Sequence, residues 1–154
     1  MASIETALQI AAKAHEGQKD KSGEPYILHP LRVMRNVEGE EAQIVAILHD
    51  VIEDTAVKAD DLRHAGFSEK IVAAVLSVTH NEDESYTDYV IRCKANEIGK
   101  QVKLADLEDN ARLDRTMLRR ERIEEDVARL RKYVLAYKFL MGQITEREYR
   151  TVMD

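Results

Sequence analysis

The sequence contains no tryptophan, one cysteine, two prolines and six glycines, and aromatic residues fill 5% of its 154 positions. The shortage of Pro and Gly removes the two strongest breakers of helices. Ala, Leu, Ile, Val, Glu, Lys and Arg dominate what remains, so the expected fold class is all-α. The single Cys93 excludes an internal disulfide and fits a reducing compartment. No apolar run approaches the ~20 residues of a membrane span, and the N-terminus lacks a signal-peptide core. A cytoplasmic chain with no membrane partner is the expectation. Positive charge is also short: 23 Lys and Arg face 29 Asp and Glu, a net charge of −6. That balance argues against a broad surface tracking nucleic-acid phosphates. It leaves room for a small anion held by a few local cations and a metal ion.

The length suffices for one domain, residues 1–154, burying roughly 70% of its unfolded surface. Ser3 caps a first helix that ends near Gly17. Residues 17 to 28 form a polar loop longer than a connection needs, and such loops often carry function. Pro30 marks a helix start, which puts His29 at the mouth of a helix over 31–37. Further helices are predicted over 40–52, 58–65, 68–78, 86–94 and 101–112. A polar turn covers 80–85. A long helix covers 118–141, and Thr145-x-x-Glu148 is a capping box for a terminal one. Ile123, Val127, Leu130, Val134, Tyr137 and Met141 follow a 4-3-4-3-4 spacing, the pattern of a packing seam. The seam is expected to dock onto its own domain, with a dimer seam as the alternative. The oligomeric state is therefore monomer or homodimer.

The densest chemistry lies in Ile47-Leu48-His49-Asp50-Val51-Ile52-Glu53-Asp54. On a helix, His49, Asp50, Glu53 and Asp54 fall within an arc of about 140°, and Ile44, Val45, Ile47, Leu48, Val51 and Ile52 on the complementary one. One side reads as core and the other as metal ligands and proton carriers. Adjacent His and Asp can both reach one ion at a helix edge. A divalent cation needs more ligands, and His29 and Asp106 are the best candidates elsewhere. Two imidazoles and two carboxylates suit Mn²⁺, Fe²⁺ or Zn²⁺ better than Mg²⁺. Glu53 and Asp54, one turn beyond, are placed to hold and deprotonate a water. Each residue also has a plainer reading: Glu53 and Asp54 as a solvated acidic face, Asp106 as a surface residue, Asn110 as a helix cap, Lys21 and Ser22 as loop solubilisers. His15 reads as structural, His64 and His80 as exposed polar positions, and Cys93, Tyr133 and Tyr137 as packing.

Three segments together are more specific than their parts. They are Ala14-His15-Glu16-Gly17-Gln18 through Lys21-Ser22-Gly23-Glu24-Pro25-Tyr26-Ile27-Leu28-His29-Pro30, then Leu48 to Thr55, then Lys103-Leu104-Ala105-Asp106 with Asn110 and Arg112. In this order and spacing the chain resembles the HD-domain hydrolases of the alarmone family, the (p)ppGpp hydrolase half of bifunctional synthetase/hydrolases and the stand-alone small alarmone hydrolases. The resemblance implies an all-α HD-domain helical bundle with a metal site between helices. It implies core motifs over 14–112 and C-terminal packing helices over 118–154. It implies one Mn²⁺ held by His29, His49, Asp50 and Asp106, with Glu53 and Asp54 as the catalytic pair. It implies that Lys21, Ser22, Asn110 and Arg112 hold the nucleotide or its phosphates. The implied reaction removes the 3′-pyrophosphate of ppGpp or pppGpp, giving GDP or GTP and pyrophosphate, in a chain acting as a stand-alone hydrolase.

Two positions depart from the family's pattern. Asp20 stands where Arg usually packs on the purine, and a carboxylate offers acceptors to a base edge rather than cation–π stacking. Asp109 stands where His usually precedes the Asn, and is expected to add negative charge and loosen phosphate binding. Asp20 motivates alternative substrates, (p)ppApp or the 2′-phosphate of NADPH. A non-catalytic alarmone-binding regulator is a third reading, which the intact Glu53–Asp54 pair disfavours.

Overall fold

The computed structural model describes residues 1–116 and 119–154. Eleven α-helices follow one another among the described residues: α1 (Ile4–Ala14), α2 (Leu28–Arg35), α3 (Glu40–Leu48), α4 (Val51–Asp54), α5 (Ala59–His64), α6 (Glu69–Ser77), α7 (Tyr86–Lys94), α8 (Glu97–Asn110), α9 (Leu113–Thr116), α10 (Ile123–Leu140) and α11 (Glu146–Met153). A one-turn 3-10 helix at Arg120–Arg122 leads into α10. No strand occurs among the described residues. A lone antiparallel bridge between Lys19 and Pro25 closes the loop after α1 on itself.

Local chemistry sets most helix starts. Side-chain oxygens of Ser3, Ser68, Ser85, Asn96 and Thr145 accept from the backbone N–H three residues on, satisfying donors that no helical carbonyl reaches. The Thr145–Glu148 capping box forms as the sequence predicts. α8 begins four residues earlier than the 101–112 expectation, because Asn96 caps a turn that Gly99 makes unpromising by propensity alone. Gly99 has a packing reason instead: a Cβ there would lie 2.0 Å from Ser77 Oγ, so α8 meets α6 through the missing side chain. The long C-terminal helix starts at Ile123; Leu118, its expected first residue, lies outside the described residues.

α3 is the centre of the packing. It touches α1, α2, α6 and α8, and Ala42, Ile44, Val45, Ala46, Ile47 and Leu48 are all buried. A helix apolar on every side belongs inside a core. This corrects the expectation of one helix over 40–52 with a core side and a polar side. The helix stops at Leu48 and α4 starts at Val51. Between them Asp50 has φ −104° and ψ −3°, at the edge of the helical region, and His49 Nδ1 lies 2.6 Å from the carbonyl of Ala46. The break sits at the His49–Asp50 pair, so the polar residues are delivered by the end of a buried helix rather than by one of its faces.

The C-terminal seam is a second correction. Ile123, Val127, Val134 and Met141 are between 42% and 49% exposed. α10 turns Asp126, Ala136, Phe139 and Leu140 inward instead. A polar residue holds its N-terminal half: buried Asp126 accepts from both Arg119 and Arg129.

Candidate active site

Four side chains converge where α2, the α3–α4 break and α8 meet. His29 Nε2 lies 3.0 Å from Asp106 Oδ1 and 3.7 Å from Asp50 Oδ2. His49 Nε2 lies 3.0 Å from Asp50 Oδ2 and 3.5 Å from Asp106 Oδ1. Donor atoms of His29, His49 and Asp50 lie within 4.8 Å of one another. Asp106 is not in that three-residue set, but its Oδ1 lies 3.0 Å from His29 Nε2 and 3.5 Å from His49 Nε2, so we place it at the same centre. His29 sits inside the first turn of α2, which begins at Leu28 rather than Leu31.

The hydrogen bonds state what this cluster wants. His49 Nδ1 faces the Ala46 carbonyl and His29 Nδ1 lies 2.6 Å from Asp109 Oδ2. Each Nδ1 must therefore carry the proton, and each Nε2 aims a lone pair at carboxylate oxygens. Buried His49 Nε2 makes no hydrogen bond at all. Acceptors facing acceptors in a buried site require a cation between them, a proton or a metal ion. The proton's version of this shows in the histidines' affinities. Burial alone would lower the His29 imidazole, but Asp106 and Asp109 hold it above its ordinary value. His49 is driven higher still, chiefly by Asp50, against its burial. The donor set of two imidazoles and two carboxylates fits a divalent transition metal.

Around this cluster stand residues that sequence reasoning either passed over or assigned to another role. Lys103, nearly buried, donates to Asp106 Oδ2 at 2.8 Å and supplies that carboxylate's counter-charge. Asn110 donates to Asp106 Oδ1 at 2.9 Å. Tyr26 donates to Asp50 Oδ2 in a short bond. Asp109 Oδ1 accepts from Arg32 Nε at 2.9 Å, and Oδ2 from Arg115. His29, Arg32 and Arg115 together hold the Asp109 carboxyl down at about 2, against its burial. The expected excess negative charge at Asp109 is thus neutralised by its neighbours and spent on orienting His29. A pattern search for Lys at i−3 from Asp106 could have found Lys103; Asp109 and Arg115 carry no local signal.

Glu53 and Asp54 open onto a cavity of about 250 Å³ that Asp50, Asp106, Lys103 and Lys132 also line. Glu53 Oε1 accepts from the backbone N–H of His80 at 2.7 Å. His80, expected to be a plain exposed position, lines this cavity and stacks 4.8 Å from the Tyr89 ring. Burial, and next the Asp50 charge, raise Asp54; burial, with Asp50 and Asp54, raises Glu53 despite the His80 bond. Two carboxyls lifted in this way bind a proton more readily than free ones, which suits them to general-base work.

A second cavity of about 320 Å³ adjoins the first. Tyr26, Asn110 and Tyr133 line both. Its other walls carry Lys19, Lys21, Ser22, Arg115 and Arg129. Burial and then the charges of Arg129, Arg119 and Lys132 pull the Lys21 ammonium below its ordinary value, as happens when cations crowd around a space for an anion. Lys21, Ser22 and Asn110 thus come together. Arg112 does not join them: it pairs with Asp114 and lines a separate cavity with Arg32 and Arg35. Arg115 takes the place at the second cavity. Asp20 is committed to the loop itself. Its Oδ1 accepts from the N–H groups of Ser22 and Glu24, and its Oδ2 lies 3.3 Å from Arg115.

These features have counterparts in known proteins. A guanosine-3′,5′-bis(diphosphate) 3′-pyrophosphohydrolase of Borreliella burgdorferi is 40% identical over 85 residues, 53% of this chain and 13% of that protein. One of the same name from Aquifex aeolicus is 31% identical over 121 residues, 71% of this chain and 17% of that protein. The chain therefore spans less than a fifth of either relative. A solved structure, described as a metazoan ortholog of SpoT that hydrolyses ppGpp, superposes with a TM-score of 0.68 at 26% identity, covering 90% of this chain and 86% of that one. The family model described as "HD domain" matches residues 7–139, and the chain belongs to the HD domain family.

Proposed function

We propose that this chain is a metal-dependent phosphohydrolase that removes the 3′-pyrophosphate of ppGpp and pppGpp, releasing pyrophosphate and GDP or GTP. The observation that carries the reading is the pairing of two cavities through Tyr26, Asn110 and Tyr133: one is lined by Asp50 and Asp106 with Glu53 and Asp54, the other gathers His29 with Lys21, Arg115 and Arg129. A nucleotide with phosphates on both sides of its ribose needs both sets of groups. The relatives named above support the substrate class. We take residues 1–154 as one HD hydrolase domain.

His29, His49, Asp50 and Asp106 would hold the ion, which we take to be Mn²⁺. When bound, it supplies Lewis acidity at a 3′-phosphate oxygen and at the attacking water. The rest is the chain's own work. Glu53, fixed by the His80 N–H, takes a proton from the attacking water, and Asp54 shares the load. The water oxygen adds to phosphorus, the bond from phosphorus to the ribose 3′ oxygen breaks, and that oxygen receives a proton. Lys132 and Lys103 offset charge on the transferring group. Lys21, Ser22, Arg115 and Arg129 hold the remainder of the nucleotide. Asp20 has its acceptors engaged within the loop and by Arg115, which favours the guanosine substrates over an adenine-reading carboxylate.

Purified chain incubated with Mn²⁺ and ppGpp is expected to release pyrophosphate without orthophosphate, and His49→Ala or Asp106→Ala to abolish it. Undiminished turnover in those variants, or preference for ppApp in direct competition, would overturn this reading.

A further inference from the structure

The outward stripe of α10 is unexplained by the site, because the site uses the opposite side of the same helix. At 100° per residue, Ile123, Val127, Leu130, Val134, Tyr137 and Met141 lie within an arc of about 80°. Four of the six are more than 40% exposed, and Leu130 and Tyr137 are half-buried. An apolar groove of about 460 Å³ runs beside the stripe, with Leu107 and Ala111 on its α8 side and Val134 and Tyr137 on its α10 side. A 3.5-residue repeat is the spacing by which one helix meets another.

We propose that this stripe is the interface with a second copy of the chain, the two α10 helices packing antiparallel across a twofold axis near Lys132. Such an axis sets Ile123 opposite Met141, Val127 opposite Tyr137, and Leu130 opposite Val134, so every apolar residue meets an apolar partner. Charge favours the same arrangement. Antiparallel pairing brings like flanks together, and on one flank Glu124 of one copy stands beside Lys138 of the other, twice. The first turn of α10 is acidic, with Glu124, Glu125 and Asp126, and its last turn carries Lys138. The helix dipoles then also oppose. Arg131 is the residue that would meet its own copy near the axis; it is drawn off by donating to the Val152 carbonyl of α11 at 2.9 Å. A parallel pairing brings unlike flanks together, separates Glu124 from Lys138 of the other copy and loses this match. The stripe itself, about 27 Å long and about 10 Å wide, is smaller than the ~800 Å² per partner of a standard interface. The groove must contribute, and the association is reversible.

The test is sedimentation velocity on the full chain across micromolar concentrations. The expected result is a mass that rises from one chain to two, and stays at one in Val127→Glu and Val134→Glu, whose far-UV circular dichroism is unchanged because both sites are exposed. Glu124→Lys and Lys138→Glu should each weaken dimerisation severalfold, and the two together in one chain should restore it. A wild-type monomer throughout the range, a dimer that survives Val134→Glu, or a charge-reversed double variant no better than the singles would each overturn the proposal. None of these readings depends on catalytic activity.

Discussion

Asp109 Oδ2 stands 2.6 Å from Nδ1 of His29, on the side of the imidazole away from Asp106 and Asp50. This single contact fixes which nitrogen keeps the proton and which is left for the metal centre. It follows that Asp109→Asn, which cannot match the carboxylate's hold on a ring N–H and on two guanidinium groups, should weaken divalent-metal binding by about 10- to 100-fold. Isothermal titration with Mn²⁺ measures this directly. Unchanged affinity would show that Asp109 serves Arg32 and Arg115 alone.

Lys103 and Asp106 form a buried pair, with side chains 9% and 7% exposed. Removing one partner of such a pair costs about 3–5 kcal/mol, since it strands the other charge. Lys103→Met is therefore expected to lower the urea midpoint of the metal-free protein sharply. Saturating Mn²⁺ should recover much of the loss, because a bound cation replaces the missing positive charge beside Asp106. A variant as stable as wild type without metal would contradict this account of the centre.

In the metal-free protein the pH dependence follows from His29 and His49, both raised above 6.5 on folding. A group with a raised folded-state pKa binds its proton more tightly in the folded state. Its contribution to stability is complete below 6.5 and is lost as pH climbs through the raised values. Urea midpoints should thus fall from pH 6.5 upward. Metal binding displaces the same protons, so metal affinity should rise over that range and titrations in buffers of different ionisation enthalpy should reveal proton release. A midpoint that rises with pH in the absence of metal would refute the assignment.

Glu53 accepts from the backbone N–H of His80 and makes no hydrogen bond to any of the four proposed ligands. Glu53→Gln keeps that shape and removes the base. Turnover should drop by about 10²- to 10⁴-fold, while Mn²⁺ affinity remains within a few-fold of wild type. Loss of metal binding in this variant would instead make Glu53 part of the coordination sphere.

Much of this was legible in one dimension. Helix caps at Ser3, Ser68 and Thr145, and the all-α class, depend on neighbours a few residues apart, so the sequence alone determined them. The set His29, His49, Asp50 and Asp106 was nameable from motif spacing, and the fold brings the four together. Tertiary structure decided what depends on distant partners. α3 is enclosed on all sides and stops before His49–Asp50, where periodicity read one amphipathic helix. Asp109 and Asp20 looked like misplaced charges until Arg115, which pairs with both, was seen between them. The α10 stripe was expected inside and lies outside, because the buried Asp126 and the Arg129–Tyr133 edge occupy the inward side. Local chemistry chose the helices; which of their faces meet, and which charges cancel, was settled only by packing them against one another.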